Sequence, residues 1–92
     1  MTTQGDRFAE LRRQIGDNDR AIVAAVNHRL QLVEELWRLK DQRGDARLDP
    51  DREQRLREEL RGANDGPLSA EGVDRLVDEL LELTKRELGG AG

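Results

Sequence analysis

The sequence contains no cysteine and no tyrosine, and its 92 residues include one phenylalanine, one tryptophan and two prolines. Without cysteine, neither a disulfide nor a thiolate metal site can form. The sixteen basic residues are interleaved with twenty acidic ones, and aromatic stacking partners are nearly absent, so we expect no nucleic-acid binding. The first ten residues contain no apolar run. We therefore expect no signal peptide, no membrane association and a cytoplasmic location.

The chain is also short of apolar residues, with a hydrophobic fraction of 35% against 39% charged residues. That balance is lean for a monomer of this size, and the regular spacing of the apolar residues argues against disorder. We expect a single all-α domain over 1–92 that forms a small oligomer. Fourteen of the sixteen basic residues are arginines. Codon usage in a GC-rich genome would explain most of them, but some could bind carboxylates through two parallel hydrogen bonds.

The first of three predicted helices spans about 6–43, because apolar residues recur at helical intervals and only Gly16 interrupts the pattern. Gly44 is a typical stop after the C-terminal turn. Such a helix is about 55 Å long, whereas a compact chain of this size has a radius of gyration of about 12 Å. The helix would project beyond its own protomer, so we expect a second copy of the chain to cover it.

The second predicted helix spans about 49–61, with Asp49 as its N-cap. Its apolar stripe consists of Leu56 and Leu60, and Glu53 lies on the same stripe. A carboxylate in that position either reaches solvent past the edge of the stripe or faces a polar group inside. The pattern alone favours the solvent edge.

The third predicted helix spans about 70–88, with Ser69 as its N-cap and Thr84 as the one polar residue of its apolar stripe. The Thr84 hydroxyl could donate to a carbonyl one turn earlier, which is the ordinary structural role. It could instead face a buried ligand. The sequence leaves both interpretations open.

Three cations of the first helix have informative positions. Arg29 and Lys40 are eleven residues apart, so on a regular helix they point within about 20° of each other and stand about 16 Å apart. Two long side chains at that separation can bind one small dicarboxylate. Arg12 lies about 42 Å from Lys40 along the axis. If Arg12 serves the same kind of site, it must serve the site of another copy of the chain.

The first helix also fits a purely structural interpretation as a coiled-coil dimerisation module. Apolar residues follow one another in steps of three and four, and Asn18 would set the register. Arg29 would then be a core arginine whose guanidinium extends to solvent. His28 has no second ligand nearby, so we expect no metal site. The seam comprises Phe8, Leu11, Ile15, Asn18, Ile22, Ala25, Arg29, Leu32, Leu36 and Leu39.

One pattern links the polar residues of the first two helices: Leu11-Arg12-x-x-Ile15-x-x-x-Asp19, then Arg29, Lys40 and Asp49-x-x-Arg52-Glu53. This set resembles the all-helical, AroQ-class chorismate mutases, and the resemblance covers nearly the whole chain. Each residue alone is a weak signal, but the set extends over more than forty positions and is fairly specific.

The resemblance implies an intertwined homodimer in which the long first helix is shared between two active sites. Arg12 of the partner subunit and Arg29 would bind the substrate carboxylates, and Arg52 would add positive charge there. Lys40 would donate to the ether oxygen. Glu53, supported by Asp49, would bind the polar group on the ring, and Thr84 matches a small hydroxyl residue near a carboxylate.

The implied reaction, chorismate to prephenate, is a rearrangement within one molecule that needs no nucleophile, cofactor or metal. It needs the substrate held in a folded conformation and donors aimed at the ether oxygen, where negative charge grows. The predicted catalytic residues are therefore Lys40, Arg29 and Glu53.

The sequence departs from the family at Leu88, where a Gln or Glu usually donates a second hydrogen bond to the ether oxygen. Three explanations are open: Glu87 takes this role, a regulatory enzyme of the shikimate pathway improves the catalyst, or the pocket suits a relative of chorismate. That relative is 4-amino-4-deoxychorismate, a precursor in antibiotic biosynthesis, whose ammonium could bind Glu53 and Asp49. Isochorismate pyruvate lyase activity and a non-enzymatic dimer module are further alternatives.

Overall fold

The computed structural model describes residues 4–89, and the predicted 1–92 domain extends three residues beyond this range at each end. Three α-helices follow one another: α1 spans Gln4–Arg43, α2 spans Pro50–Ala63 and α3 spans Ala70–Thr84. A π-helical turn, Lys85–Gly89, continues α3. The predicted all-α class and the three-helix protomer with a very long first helix are confirmed.

The ends of α1 and α2 follow from local chemistry. The chain leaves α1 at Gly44, whose positive φ of 77° is one that residues with a side chain rarely adopt. The Gly44 amide donates to the Asp41 carbonyl over 3.2 Å, which closes the last turn. Asp49 then caps α2, because its carboxylate accepts the Arg52 amide at 3.2 Å. The predicted stop and the predicted N-cap are both confirmed.

The third helix starts as predicted but ends differently. Ser69 caps its N-terminus by accepting the Gly72 amide at 3.0 Å. The α-helix stops at Thr84, however, and the remaining predicted turn is π-helical. A π-helical turn holds an extra residue. The directions of the last side chains therefore differ from those that a regular helix over 70–88 would give.

Each protomer has a small core. Trp37 of α1 and Val73 and Val77 of α3 are the buried apolar residues in the described part of the chain. Two arginines of α2 hold α3 from the outside, since Arg61 donates through Nε to Asp74 over 2.8 Å and Arg57 donates to the Asp74 carbonyl over 3.0 Å. These contacts fix α2 against α3, and α3 in turn packs along the C-terminal half of α1.

Most of α1 lacks a partner within the protomer. The molecule measures 64 × 26 × 18 Å with a radius of gyration of 17.7 Å, well above the value of about 12 Å for a compact chain of this length. None of the helices described over 4–89 has the length and apolar character of a membrane span. The large apolar residues of α1 that lie exposed are Phe8, Leu11, Ile15, Ile22, Val23, Leu32, Leu36 and Leu39.

Candidate active site

A cavity of about 100 Å³ lies where α1, α3, the start of α2 and the 44–49 loop meet. Its apolar walls include Val33, Leu36, Trp37 and Leu81. Five of the polar residues predicted from the sequence line it together. They are Arg29, Lys40, Asp49, Glu53 and Thr84.

Arg29 and Thr84 join α1 to α3 at this cavity. The Arg29 guanidinium donates through Nη1 to the Thr84 hydroxyl over 2.6 Å. The same hydroxyl donates to the Leu80 carbonyl over 2.8 Å, so the ordinary structural bond predicted for Thr84 is present as well. Thr84 is only 5% exposed, and burial lowers the pKa of the Arg29 guanidinium. Arg29 thus lies against a partner inside the protomer instead of extending to solvent, which contradicts the coiled-coil interpretation of its side chain.

Lys40 connects α1 to the 44–49 loop. Its ammonium donates to the Arg47 carbonyl over 3.1 Å. The Arg47 side chain donates twice to Asp41, over 3.0 and 2.7 Å, and its guanidinium carbon lies 5.2 Å from the centre of the Trp37 ring. An ammonium carries three donors, so Lys40 can hold the loop and still donate to a bound molecule.

Asp49 and Glu53 supply the two carboxylates of the cavity from the first turns of α2. Asp49 is fixed in place because it also caps the helix. The Glu53 side chain is 28% exposed and lies 4.0 Å from the Lys85 ammonium. The pattern favoured the solvent edge, and Glu53 keeps part of that exposure, but its carboxylate also borders the cavity beside the cation of Lys85, directly after α3.

Three predicted site residues lie away from this cavity in the protomer. Arg12 is exposed on α1, with its guanidinium carbon 4.6 Å from the centre of the Phe8 ring. Arg52 is exposed and donates weakly to Glu59 over 3.5 Å. Leu88 belongs to the π-helical turn and does not line the cavity.

Two lining cations were not predicted, Arg47 and Lys85. Arg47 lies in a loop, where no periodicity marks a buried or inward-facing residue. Lys85 directly follows Thr84, so a regular helix would turn it about 100° away from the Thr84 direction. Lys85 is nevertheless one turn after Leu81, which also lines the cavity, and only the three-dimensional structure shows that the cavity extends this far. The available signal was the spacing of four residues between Leu81 and Lys85.

The charges of the lining suit an anionic ligand. Four cationic side chains, Arg29, Lys40, Arg47 and Lys85, face two carboxylates. Arg29 has further N–H groups beyond the one given to Thr84 and can bind a carboxylate through two of them. The arrangement offers fixed hydrogen-bond donors at the edge of an apolar pocket, which is what charge stabilisation in a reaction requires.

Comparison with known proteins identifies the family. The family model described as chorismate mutase type II matches residues 11–87. No curated protein matches the chain significantly. Two structures of the chorismate mutase from Thermus thermophilus, Form I and Form II, are similar to this one. Form I gives a TM-score of 0.81 at 29% identity, covering 85% of this chain and 98% of that one.

Form II of the same Thermus thermophilus enzyme gives a TM-score of 0.83 at 28% identity and covers 88% of this chain and 92% of that one. The likeness therefore extends over nearly the full length of both chains, as the predicted resemblance does. The family match also makes the chain an isomerase. From its sequence and its fold alike, the chain belongs to the type II chorismate mutase family.

Proposed function

We propose that this protein converts chorismate to prephenate. The main observation in support is that one cavity is lined by polar residues from three helices, namely Arg29, Lys40, Glu53 and Thr84. The family match also supports the assignment. In the reaction a carbon–oxygen bond of the ether breaks while a carbon–carbon bond forms, and no proton is transferred. The protein has to fold the flexible side chain of the substrate over the ring and stabilise the charge that develops on oxygen.

The proposed roles follow from the contacts of each side chain. Arg29, oriented by Thr84, binds a substrate carboxylate. Lys40 donates to the ether oxygen with an N–H group not used on the Arg47 carbonyl. Glu53 accepts a hydrogen bond from the ring hydroxyl, and Asp49, fixed at the start of α2, supports it.

The site proposed here is completed by a second copy of the chain. The described core is small, and α1 exposes a long series of large apolar residues, so a homodimer would bury them. Arg12 does not reach the cavity of its own protomer. We assign it to the neighbouring site, where Arg12 of the partner subunit binds the second carboxylate of the substrate. Arg52 adds positive charge near the substrate carboxylates of the same site.

A second candidate substrate is 4-amino-4-deoxychorismate, which undergoes the same rearrangement in antibiotic biosynthesis. The observation in its favour is that two carboxylates line the cavity and could bind an ammonium strongly. Chorismate is preferred because it is the common substrate of the family that the sequence resembles.

A paired turnover assay tests the proposal. Purified protein is given chorismate and, separately, 4-amino-4-deoxychorismate, and the products are identified by chromatography. Efficient formation of prephenate is expected. Turnover of only the amino compound would select the second candidate, and turnover of neither would leave a dimer module without this activity.

A matched pair of variants shows whether the measured turnover belongs to the cavity. Lys40→Met should lower kcat/KM for chorismate by about 10²–10³, the usual cost of one preorganised donor. Arg38→Met is the control, because Arg38 lies on the same helix but is exposed and pairs with Glu34. Its kcat/KM should match that of the wild type.

A further inference from the structure

Lys85 adds a cation to the cavity. It is not part of the residue pattern from Arg12 to Glu53 that the first two helices carry. Its ammonium lies 4.0 Å from Glu53 Oε1, and the two side chains are 48% and 28% exposed. Both line the cavity that holds Arg29 and Lys40. Lys85 follows Leu81 by one helical turn, its amide bonds to the Leu81 carbonyl, and Leu81 lines the same cavity.

The pair changes what Glu53 can bind. An isolated carboxylate favours a positively charged partner, but here the Glu53 charge is already offset by a neighbouring ammonium. A second ammonium held at Glu53 would lie close to Lys85 and be repelled by it. A neutral hydroxyl has no such cost and can still donate to the carboxylate. Proteins commonly gain specificity by placing a repulsive group against the wrong ligand.

We infer that Lys85 is a specificity-determining residue: paired with Glu53, it makes this site select a ring hydroxyl over a ring ammonium. The inference rests on the proposed function, since it assumes that Glu53 faces the ring substituent. It also assigns the substrate class of the site, a hydroxylated cyclic dicarboxylate.

The test compares two ratios in wild type and Lys85→Met. The first is kcat/KM for chorismate divided by kcat/KM for 4-amino-4-deoxychorismate, and the second is the corresponding ratio of affinities, measured by calorimetry. Because the pair is partly exposed, screening keeps its effect modest. We expect Lys85→Met to lower both ratios by roughly fivefold.

Two control variants separate charge from other effects. Lys85→Arg keeps the cation and should change the ratios by less than about twofold. Arg86→Met removes a neighbouring exposed cation that pairs with Glu82 and should also leave them unchanged. Equal losses for both compounds in Lys85→Met, with constant ratios, would overturn the inference.

The outcomes also distinguish this inference from the proposed function. If wild type converts neither compound, the proposed function fails, and the ratio of affinities still decides the role of Lys85. If wild type binds neither compound, both proposals fail. If wild type converts chorismate and the ratios do not respond to Lys85→Met, only the assignment of Lys85 is wrong.

Discussion

The Arg29 guanidinium and the Thr84 hydroxyl, 55 positions apart in the chain, form a 2.6 Å hydrogen bond at the wall of the candidate active site. The Thr84 hydroxyl donates its own proton to the Leu80 carbonyl at 2.8 Å, so towards Arg29 it can only accept. This relationship makes Thr84 a positioning residue for Arg29. The Thr84 hydroxyl therefore makes the bond that a threonine commonly makes within its own helix and also serves the site. The bond to the Leu80 carbonyl orients the hydroxyl so that its oxygen can accept from Arg29.

Thr84→Val should lower kcat/KM for chorismate by roughly tenfold or more, because a hydrogen bond to a charged group is lost while the side-chain shape is kept. Thr84→Ser keeps the hydroxyl and should stay within about threefold of wild type in the same steady-state assay. Equal activity of the valine and serine variants would show that Arg29 does not need this acceptor.

Arg29→Leu separates the enzyme from a coiled-coil module. In the enzyme, kcat/KM should fall by about 10²–10³ while the melting temperature changes little, because the guanidinium is only half-buried. In a coiled-coil module, leucine would complete the apolar seam and raise the melting temperature. Arg38→Leu, at an exposed position of the same helix, is the matched control. Retained prephenate formation in Arg29→Leu would refute the role proposed for Arg29.

Mixing two inactive variants tests whether Arg12 acts across the dimer. Arg12→Ala and Arg29→Ala proteins are unfolded together, refolded and assayed. If one site takes Arg29 from one chain and Arg12 from the other, a mixed dimer has one intact site and one doubly defective site. Random pairing makes half of the dimers mixed.

An equal mixture should therefore regain about a quarter of the wild-type activity. Each variant refolded alone is the control and should remain inactive. If the mixture is no more active than its components, both arginines act within one chain, and the dimeric site proposed above is wrong.

Acid should weaken the packing of α2 on α3 through Asp74. The hydrogen bond from Arg61 is the main reason that the pKa of the Asp74 carboxyl lies below its usual value, with a smaller contribution from the charge of Arg61. A carboxyl whose pKa is lower in the folded state stabilises the protein above its unfolded pKa of about 3.9, and this stabilisation is lost as the pH falls through the lower folded pKa.

Asp74→Asn should accordingly lower the melting temperature at neutral pH, and its difference from wild type should shrink as the pH falls below about 3.9. Asp65→Asn, in the connection between α2 and α3, is the control and should follow the wild-type pH profile. Calorimetric scans across this pH range give the measurement. A difference between wild type and Asp74→Asn that stays constant with pH would contradict the linkage.

The sequence by itself determined the helices and most of the site. Apolar periodicity predicted α1, and the caps at Asp49 and Ser69 and the stop at Gly44 act within a few residues, so they need no tertiary context. The spacing from Arg12 to Glu53 was enough to indicate the family that the comparison identifies.

Only the tertiary structure decided the features that depend on how helices cross. Glu53 lies on an apolar stripe yet borders the cavity, because the packing of α3 brings Lys85 to within 4.0 Å of its carboxylate. Lys85 borders the same cavity, one turn after Leu81, because α3 packs with this side towards α1 and α2. Periodicity describes one element at a time, whereas the contacts of Arg29, Glu53 and Lys85 join residues distant in sequence, and their energies arise only once the helices are packed.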